Sequence, residues 1–361
     1  TVFYGFNTTR LYKKAKSILK LGEKILEEKT IDIDPSTPFT STYKSKEKSD
    51  EYQLYVELQD SDGNLIISYA PYVLKHPPLP KIQDRLKSPN EIETIEDLYL
   101  TGRHIDQFSL PGHNPDEYYM EALKRSPIDY RVNIAMGIRR VKQWRYQEAE
   151  EYLLRAAEKL QVDYMQPEEG ELFYYLALAR KGVGKTKEAY TNFYRATWHY
   201  DWFSSAYYEL ALMESCNKNY AKALGFIKKA YSTNNYDGKI TILYSAMLRK
   251  QGQKEEAQPL LQKLLKYDPL NFAAIYENEL WNGNSSLEKW QRNMQDRDNN
   301  YLDVAMNYIN AGLFDDGLSL LSSIKEPKNP LVFYYLAWLY GNSNQPSKAA
   351  QLLSNVNTVS F

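Results

Sequence analysis

A single cysteine, Cys216, stands in 361 residues. That excludes an internal disulfide framework and any metal site built on several thiolates. Histidines 76, 104, 113 and 199 are scattered, with no His-x-x-x-His spacing, so no metal is expected. Nothing else in the chain calls for a cofactor. Net charge is missing too: 45 Lys and Arg face 46 Asp and Glu. No global field gathers nucleic acid or a membrane surface. No apolar run nears the roughly 20 residues of a membrane-spanning helix. The chain opens Thr1-Val2-Phe3 with neither methionine nor signal peptide, and is expected to be a fragment or mature chain.

Aromatic side chains are abundant, with 32 Tyr and 6 Trp. Such amphipathic rings serve cores, interfaces and sugar-facing grooves alike. Apolar residues at 43% are enough for a packed core, and the length has room for two or three domains.

A period organises most of the chain. Gly184 with Ala189, and Gly252 with Ala257, fit Gly-x-x-x-x-Ala; Trp144 with Ala149 and Lys218 with Ala223 fit it with the glycine replaced. Alanines 189, 223 and 257 are 34 residues apart. Small residues precede them at a constant offset: Ala177, Ala211 and Ser245, with Gly137 before Ala149. Bulky ones follow at another: Phe193, Ile227 and Leu261, with Leu153 after Ala149. The pattern resembles the tetratricopeptide repeat, in which each unit is two antiparallel helices. Small residues let the helices cross closely, and bulky ones fill the seam between units.

The frame gives units 130–163, 170–203, 204–237 and 238–271, with an insertion containing Met165-Gln166-Pro167 after the first. Counting back adds a degenerate unit, 96–129, whose second helix is capped by Asn114 and started by Pro115. Counting forward adds a short pair, 272–297, with helices at 272–281 and 286–294. Units 298–329 and 330–361 follow. A solenoid ending without a polar cap reads as truncated or packed on a partner.

One stretch imitates a nucleotide site. Arg180 to Ala189 read R-K-G-V-G-K-T-K-E-A, and Gly184-Lys185-Thr186 matches the end of a phosphate-binding loop. The loop's first glycine would be Ala179, and a helix rather than a strand precedes it. It is read as an inter-helix turn, with Gly182 and Gly184 at positive φ and Thr186 capping the next helix.

Residues 1–75 lack the helical period and predict a small all-β, immunoglobulin-like sandwich. Val2–Asn7 is a first strand. Leu11–Leu21 and Lys24–Ile33 form a hairpin about Gly22. Leu54, Val56 and Leu58 alternate, turn at Asp60–Asn64 and return through Leu65–Tyr69. Lys44–Lys48 is an exposed loop. Residues 76–95 form a stiff connector and helix start, with Pro77, Pro78 and Pro80. Residues 96–361 are the helical repeats, so the fold class is mainly α.

Four stretches are more specific than a generic repeat: Glu96–Phe108, Asp116–Arg125, Glu169–Leu176 and Tyr194–Trp202. With the front-end hairpins they resemble a bacterial family of large proteins with no assigned activity. Its members join a mutarotase-like β-supersandwich, absent here, to a strand-rich linker domain and tetratricopeptide repeats. The resemblance implies a carbohydrate context and a bacterial, soluble protein of cytoplasm or periplasm. Any catalytic residues would lie upstream.

Two candidate surfaces stand out. Trp198, His199, Tyr200 and Trp202 form an aromatic cluster where one unit passes to the next. They either fill the seam or clamp a domain or sugar. The inner groove is expected to present Tyr174, Leu178 and Lys181, then Tyr208, Leu212 and Ser215, then Ala246, Arg249 and Lys250. Tyrosine and leucine here argue against capture of a free carboxylate terminus and toward an apolar surface. Residues 221–266 carry nine Lys or Arg against three Asp or Glu, read mainly as a solvated outer face. Cys216 is expected as buried filler. The acidic pair Glu168 and Glu169 is read as ordinary helical glutamate rather than glycosidase carboxylates.

The expectation is a non-catalytic protein-interaction scaffold. Its partner is a protein, either its own upstream domain or another, with carbohydrate as a further candidate. The alternative is a glycan-processing enzyme whose site the upstream domain completes.

Overall fold

The computed structural model describes residues 1–45, 50–72, 86–162, 169–283, 287–295 and 297–356. The connector prolines Pro77, Pro78 and Pro80, His76, Met165–Pro167, Glu168 and most of the lysine-rich loop lie outside the described residues.

The front end forms six strands: β1 (Val2–Phe6), β2 (Tyr12–Leu21), β3 (Lys24–Ile33), β4 (Phe39–Tyr43), β5 (Leu54–Gln59) and β6 (Leu65–Tyr69). They make two antiparallel sheets, one of four strands in the order β3-β2-β5-β6 and one of two, β1-β4. Phe6, Ala15, Ile33 and Leu58 pack between them. The β2–β3 turn needs Gly22 at φ 57°, and Asp60 accepts backbone hydrogen bonds from Asp62 and Asn64 to close the β5–β6 turn. Strand β4, with Thr40, Ser41 and Thr42 in succession, carries no apolar alternation that would announce it.

Sixteen helices follow among the described residues. The first six are α1 (Ile95–Phe108), α2 (Pro115–Arg125), α3 (Tyr130–Lys142), α4 (Tyr146–Leu160), α5 (Gly170–Gly182) and α6 (Thr186–Ala196). The middle four are α7 (Tyr200–Cys216), α8 (Tyr220–Thr233), α9 (Gly238–Lys250) and α10 (Lys254–Tyr267). Then come α11 (Phe272–Trp281), α12 (Leu287–Met294), α13 (Asp298–Asn310), α14 (Phe314–Ser322), α15 (Pro330–Asn342) and α16 (Pro346–Val356). Each odd-numbered helix pairs with the even one after it, and α3 packs on α5, α5 on α7, α9 on α11 and α11 on α13. The odd helices are therefore the inner layer of a solenoid.

The repeat pattern has a plain structural meaning. Ala177, Phe193, Ala211, Ile227, Ser245 and Leu261 are all fully buried. A Cβ at Gly137 would lie 2.5 Å from Leu153 Cγ, which is how a small residue on the inner helix admits the bulky one opposite. The first position of Gly-x-x-x-x-Ala is a left-handed residue: Gly184 (φ 81°), Gly252 (70°) and, without glycine, Trp144 (63°) and Lys218 (61°); Gly312 (69°) takes the same place where Gly317 replaces the alanine. Inner helices α3, α9, α11 and α15 begin at Asp129, Asp237, Asn271 and Asn329, whose side chains accept from the first-turn amides.

The phosphate-loop lookalike is this turn. Gly182 is not at positive φ as expected; it is the last residue of α5, packed on the Tyr146 ring. Thr186 does not cap α6 either; Lys185 stands at that position, without a side-chain cap bond. Lys185 Nζ binds the Glu150 carboxylate at 2.7 Å, so its charge is already paired.

Candidate interaction surface

The groove residues separate into two groups. On α5 and α7 they form an aromatic stack. The Tyr174 ring lies 4.8 Å from that of Trp202 at 29°, and Tyr175 meets Trp202 edge-on at 5.7 Å. Phe193 supports Tyr174 from α6, edge-on at 5.7 Å. Burial pushes the Tyr174 phenol above its ordinary range, so it is neutral at any physiological pH. Leu178 is half-buried on the same helix, and Lys181 reaches across to Glu209 at 2.7 Å. Nearby Glu171 is half-buried. Burial raises its pKa, while Lys142 and Arg103 pull it down.

On α7 and α9 the inner face is covered by the chain itself. Ser215 Oγ donates to the Ala311 carbonyl at 2.6 Å, and Cys216 Sγ lies 3.5 Å from the Asn310 carbonyl. Arg249 pairs with Glu277 of α11 at 2.9 Å and with Asp316 of α14 at 3.1 Å. Lys250 joins Asp316 at 3.0 Å, and Tyr308 of α13 donates to Glu277 at 2.9 Å. Leu212 and Ala246 are buried, and Tyr208 is half-buried against the same core. The α13–α14 turn therefore fills the hollow that α7 and α9 would otherwise present. Gly312 permits it: a Cβ there would sit 2.8 Å from Cys216 Cα. Cys216 itself is exposed rather than buried filler.

The aromatic cluster also divides. His199 stacks on Phe173 at 6.5 Å and packs against Gly170, filling the seam. Trp202 belongs to the inner stack. Trp198 and Tyr200 are 64% and 78% exposed. Seven of the nine basic residues of 221–266 are exposed, as a solvated face requires; Lys222 pairs with Glu214 at 2.6 Å and Lys228 with Glu256 at 2.9 Å, and only Arg249 and Lys250 pair inward.

A second concavity, about 440 Å³, lies between the β1–β2 and β3–β4 turns and helices α10–α12, lined by Arg10, Asp34, Leu265, Trp290 and Arg292. Hydrogen bonds from Thr37 and Ser36 hold Asp34 down to about 2, so this carboxylate is committed to its own turn. Among the described residues, no cluster of His, Cys, Asp or Glu is arranged to hold a metal, and no helix is long and apolar enough to cross a membrane.

The geometry defines a class, an α-solenoid of helical hairpins preceded by a small antiparallel β unit. The sequence model of a family described as "YphG-like protein, second domain" matches residues 1–69, the β unit alone. Solved structures with similar helical stacking include a tetratricopeptide repeat protein from Parabacteroides merdae (14% identity, 74% of this chain and 93% of that one, TM-score 0.45). Others are pilF of Pseudomonas aeruginosa (12%, 63% and 99%, 0.46) and the C-terminal part of a TPR repeat-containing protein from Cytophaga hutchinsonii (12%, 73% and 93%, 0.43). At these values the repeat architecture rests on the helices of this chain, not on the likeness.

Proposed function

We propose that the chain is a non-catalytic protein-interaction scaffold, the C-terminal part of a larger carbohydrate-related bacterial protein. Its binding surface is the unsealed part of the inner layer: Tyr174, Tyr175 and Trp202, with Leu178 and Lys181, and Trp198 and Tyr200 at the rim. The observation that carries this reading is the uneven hollow, filled by the chain's own helices at α7 and α9 but aromatic and only half-buried at α5. Large rigid rings of this kind supply contact area at low entropic cost and are enriched at binding hot spots. The partner we favour is a β-supersandwich domain of the same protein, held at high effective concentration by the covalent link. A family model named for a second domain agrees with a region that follows another domain.

The test is calorimetric titration of that separately expressed domain into this chain. Trp202→Ala with Tyr174→Ala should weaken docking by about 2 kcal/mol or more, the scale of an aromatic hot spot. Absence of docking sinks the intramolecular reading. Oligosaccharide binding lost in the same variants would replace it with the sugar-binding alternative.

A further inference from the structure

The β unit is an incomplete sandwich. Its large sheet has four strands and its small sheet two. Strand β4 lies by β3, where Ser41 Oγ donates to Glu27 at 3.0 Å and Lys29 donates to Ser41 at 2.8 Å. Beside it, β1 sends the Tyr4 hydroxyl to the same Glu27 at 2.6 Å. The small sheet thus covers the β3 side of the large one and stops. Across the uncovered side, Ile67 is the cross-strand partner of Leu58, and Tyr69 that of Val56. Directly opposed residues share a face, so Ile67 and Tyr69 stand on the core face with fully buried Leu58. Yet they are 51% and 64% exposed. What covers Leu58 does not extend to its neighbour.

The gap has a shape. A groove of about 260 Å³ runs between β1 and β5–β6, lined by Tyr4, Phe6, Val56, Ile67 and Tyr69. Phe6, Tyr4 and Val56 also belong to the packed core, so the groove continues the existing interior. Strand β1 pairs only with β4 among the described residues. The backbone N–H and C=O groups on its other side face along the groove. Charge sorts the edges. Strand β3, the protected edge of the large sheet, carries Lys24, Glu27, Glu28 and Lys29, the usual device against unwanted pairing. Strands β1 and β6, Val-Phe-Tyr-Gly-Phe and Leu-Ile-Ile-Ser-Tyr, carry no charge.

We propose that this groove is a strand-acceptor site: an extended, uncharged segment of another polypeptide, apolar at alternate positions, pairs with β1 and covers β5–β6. Backbone bonds to β1 give affinity, and alternate side chains entering over Val56, Ile67 and Tyr69 give selectivity.

Hydrogen exchange of the full chain, read by mass spectrometry, tests this with an acetylated, amidated Thr-Val-Thr-Val-Thr-Val-Thr peptide as probe. Millimolar probe should slow exchange in residues 1–7 by about tenfold or more, the mark of amides newly held in a ladder. A probe with lysine in place of valine should not. Ile67→Asp should abolish the slowing, and the milder Ile67→Thr, for which unchanged circular dichroism verifies folding, should weaken it. No slowing at millimolar probe overturns the proposal. So does slow exchange in the free chain that rises with protein concentration, because the occupant would then be a second copy.

Discussion

The α3–α6 and α7–α10 regions of the solenoid are built on one repeat pattern and have different hollows. Both cross their helices at small residues, Gly137 and Ala177 in one and Ala211 and Ser245 in the other. Both reverse direction through a left-handed residue. The inner face of α5 nevertheless stays aromatic and half-buried, while those of α7 and α9 are sealed by α13 and α14. Local repeat chemistry fixes how neighbouring helices stack. It does not fix whether a later unit returns to fill the curve, because those contacts join residues two to three units apart. A solenoid that fills its own hollow gains rigidity there and gives up binding surface.

The largest expected effect breaks the sealed half. Glu277 is fully buried, and Arg249 links it to Asp316. Arg249→Met removes the cation and leaves buried carboxylate uncompensated. Chemical denaturation should show a loss of about 3–5 kcal/mol. Arg180→Met, which touches Glu150 at 3.2 Å while Lys185 still pairs that carboxylate, should cost far less. Equal losses would mean that the two halves are held together in the same way.

Gly312→Ala is next. It places a Cβ on a left-handed residue and drives it into the Cys216 backbone. A loss of about 2 kcal/mol follows from strain and overpacking combined. The sharper readout is Cys216, an exposed residue whose thiol is nonetheless partly desolvated by its neighbours, which raises its pKa: if the α13–α14 turn is displaced, the thiol should react faster with a maleimide. Unchanged reactivity would show that this glycine does not hold the seal.

This division explains what the sequence could and could not reveal. The helical hairpins were legible because each turn's left-handed residue and each crossing alanine recur at fixed spacing. Five of the six strands were legible from alternation and turns, and β4 was not, because Thr40, Ser41 and Thr42 carry no such signal. Tyr174 and Trp202 could be named, but not their stacking, which depends on how α5 and α7 cross. Arg249 read as a groove residue because its inner-helix position says nothing of Asp316, 67 residues onward. One weak signal was available: Gly312 and Gly317 are both glycine, marking a turn and a helix where another backbone or side chain comes close.

The smallest expected effect probes the unsealed half. Glu171 is half-buried at the start of α5, facing Tyr175, with Lys142 and Arg103 acting on it from α3 and α1. Burial raises its folded-state pKa above the unfolded value. Stability from this group is therefore complete below the unfolded glutamate pKa and declines as pH rises through the folded one. Glu171→Gln removes that decline. At neutral pH the variant should be more stable by about 0.5 kcal/mol, the scale of a single surface substitution. Below the glutamate range the advantage should vanish. A partner that supplies a cation to Glu171 reverses the sign: docking would then weaken in the variant although the free chain is more stable. Measuring both separates a carboxylate kept for binding from one merely tolerated, and only a hollow left unsealed could keep one for that purpose.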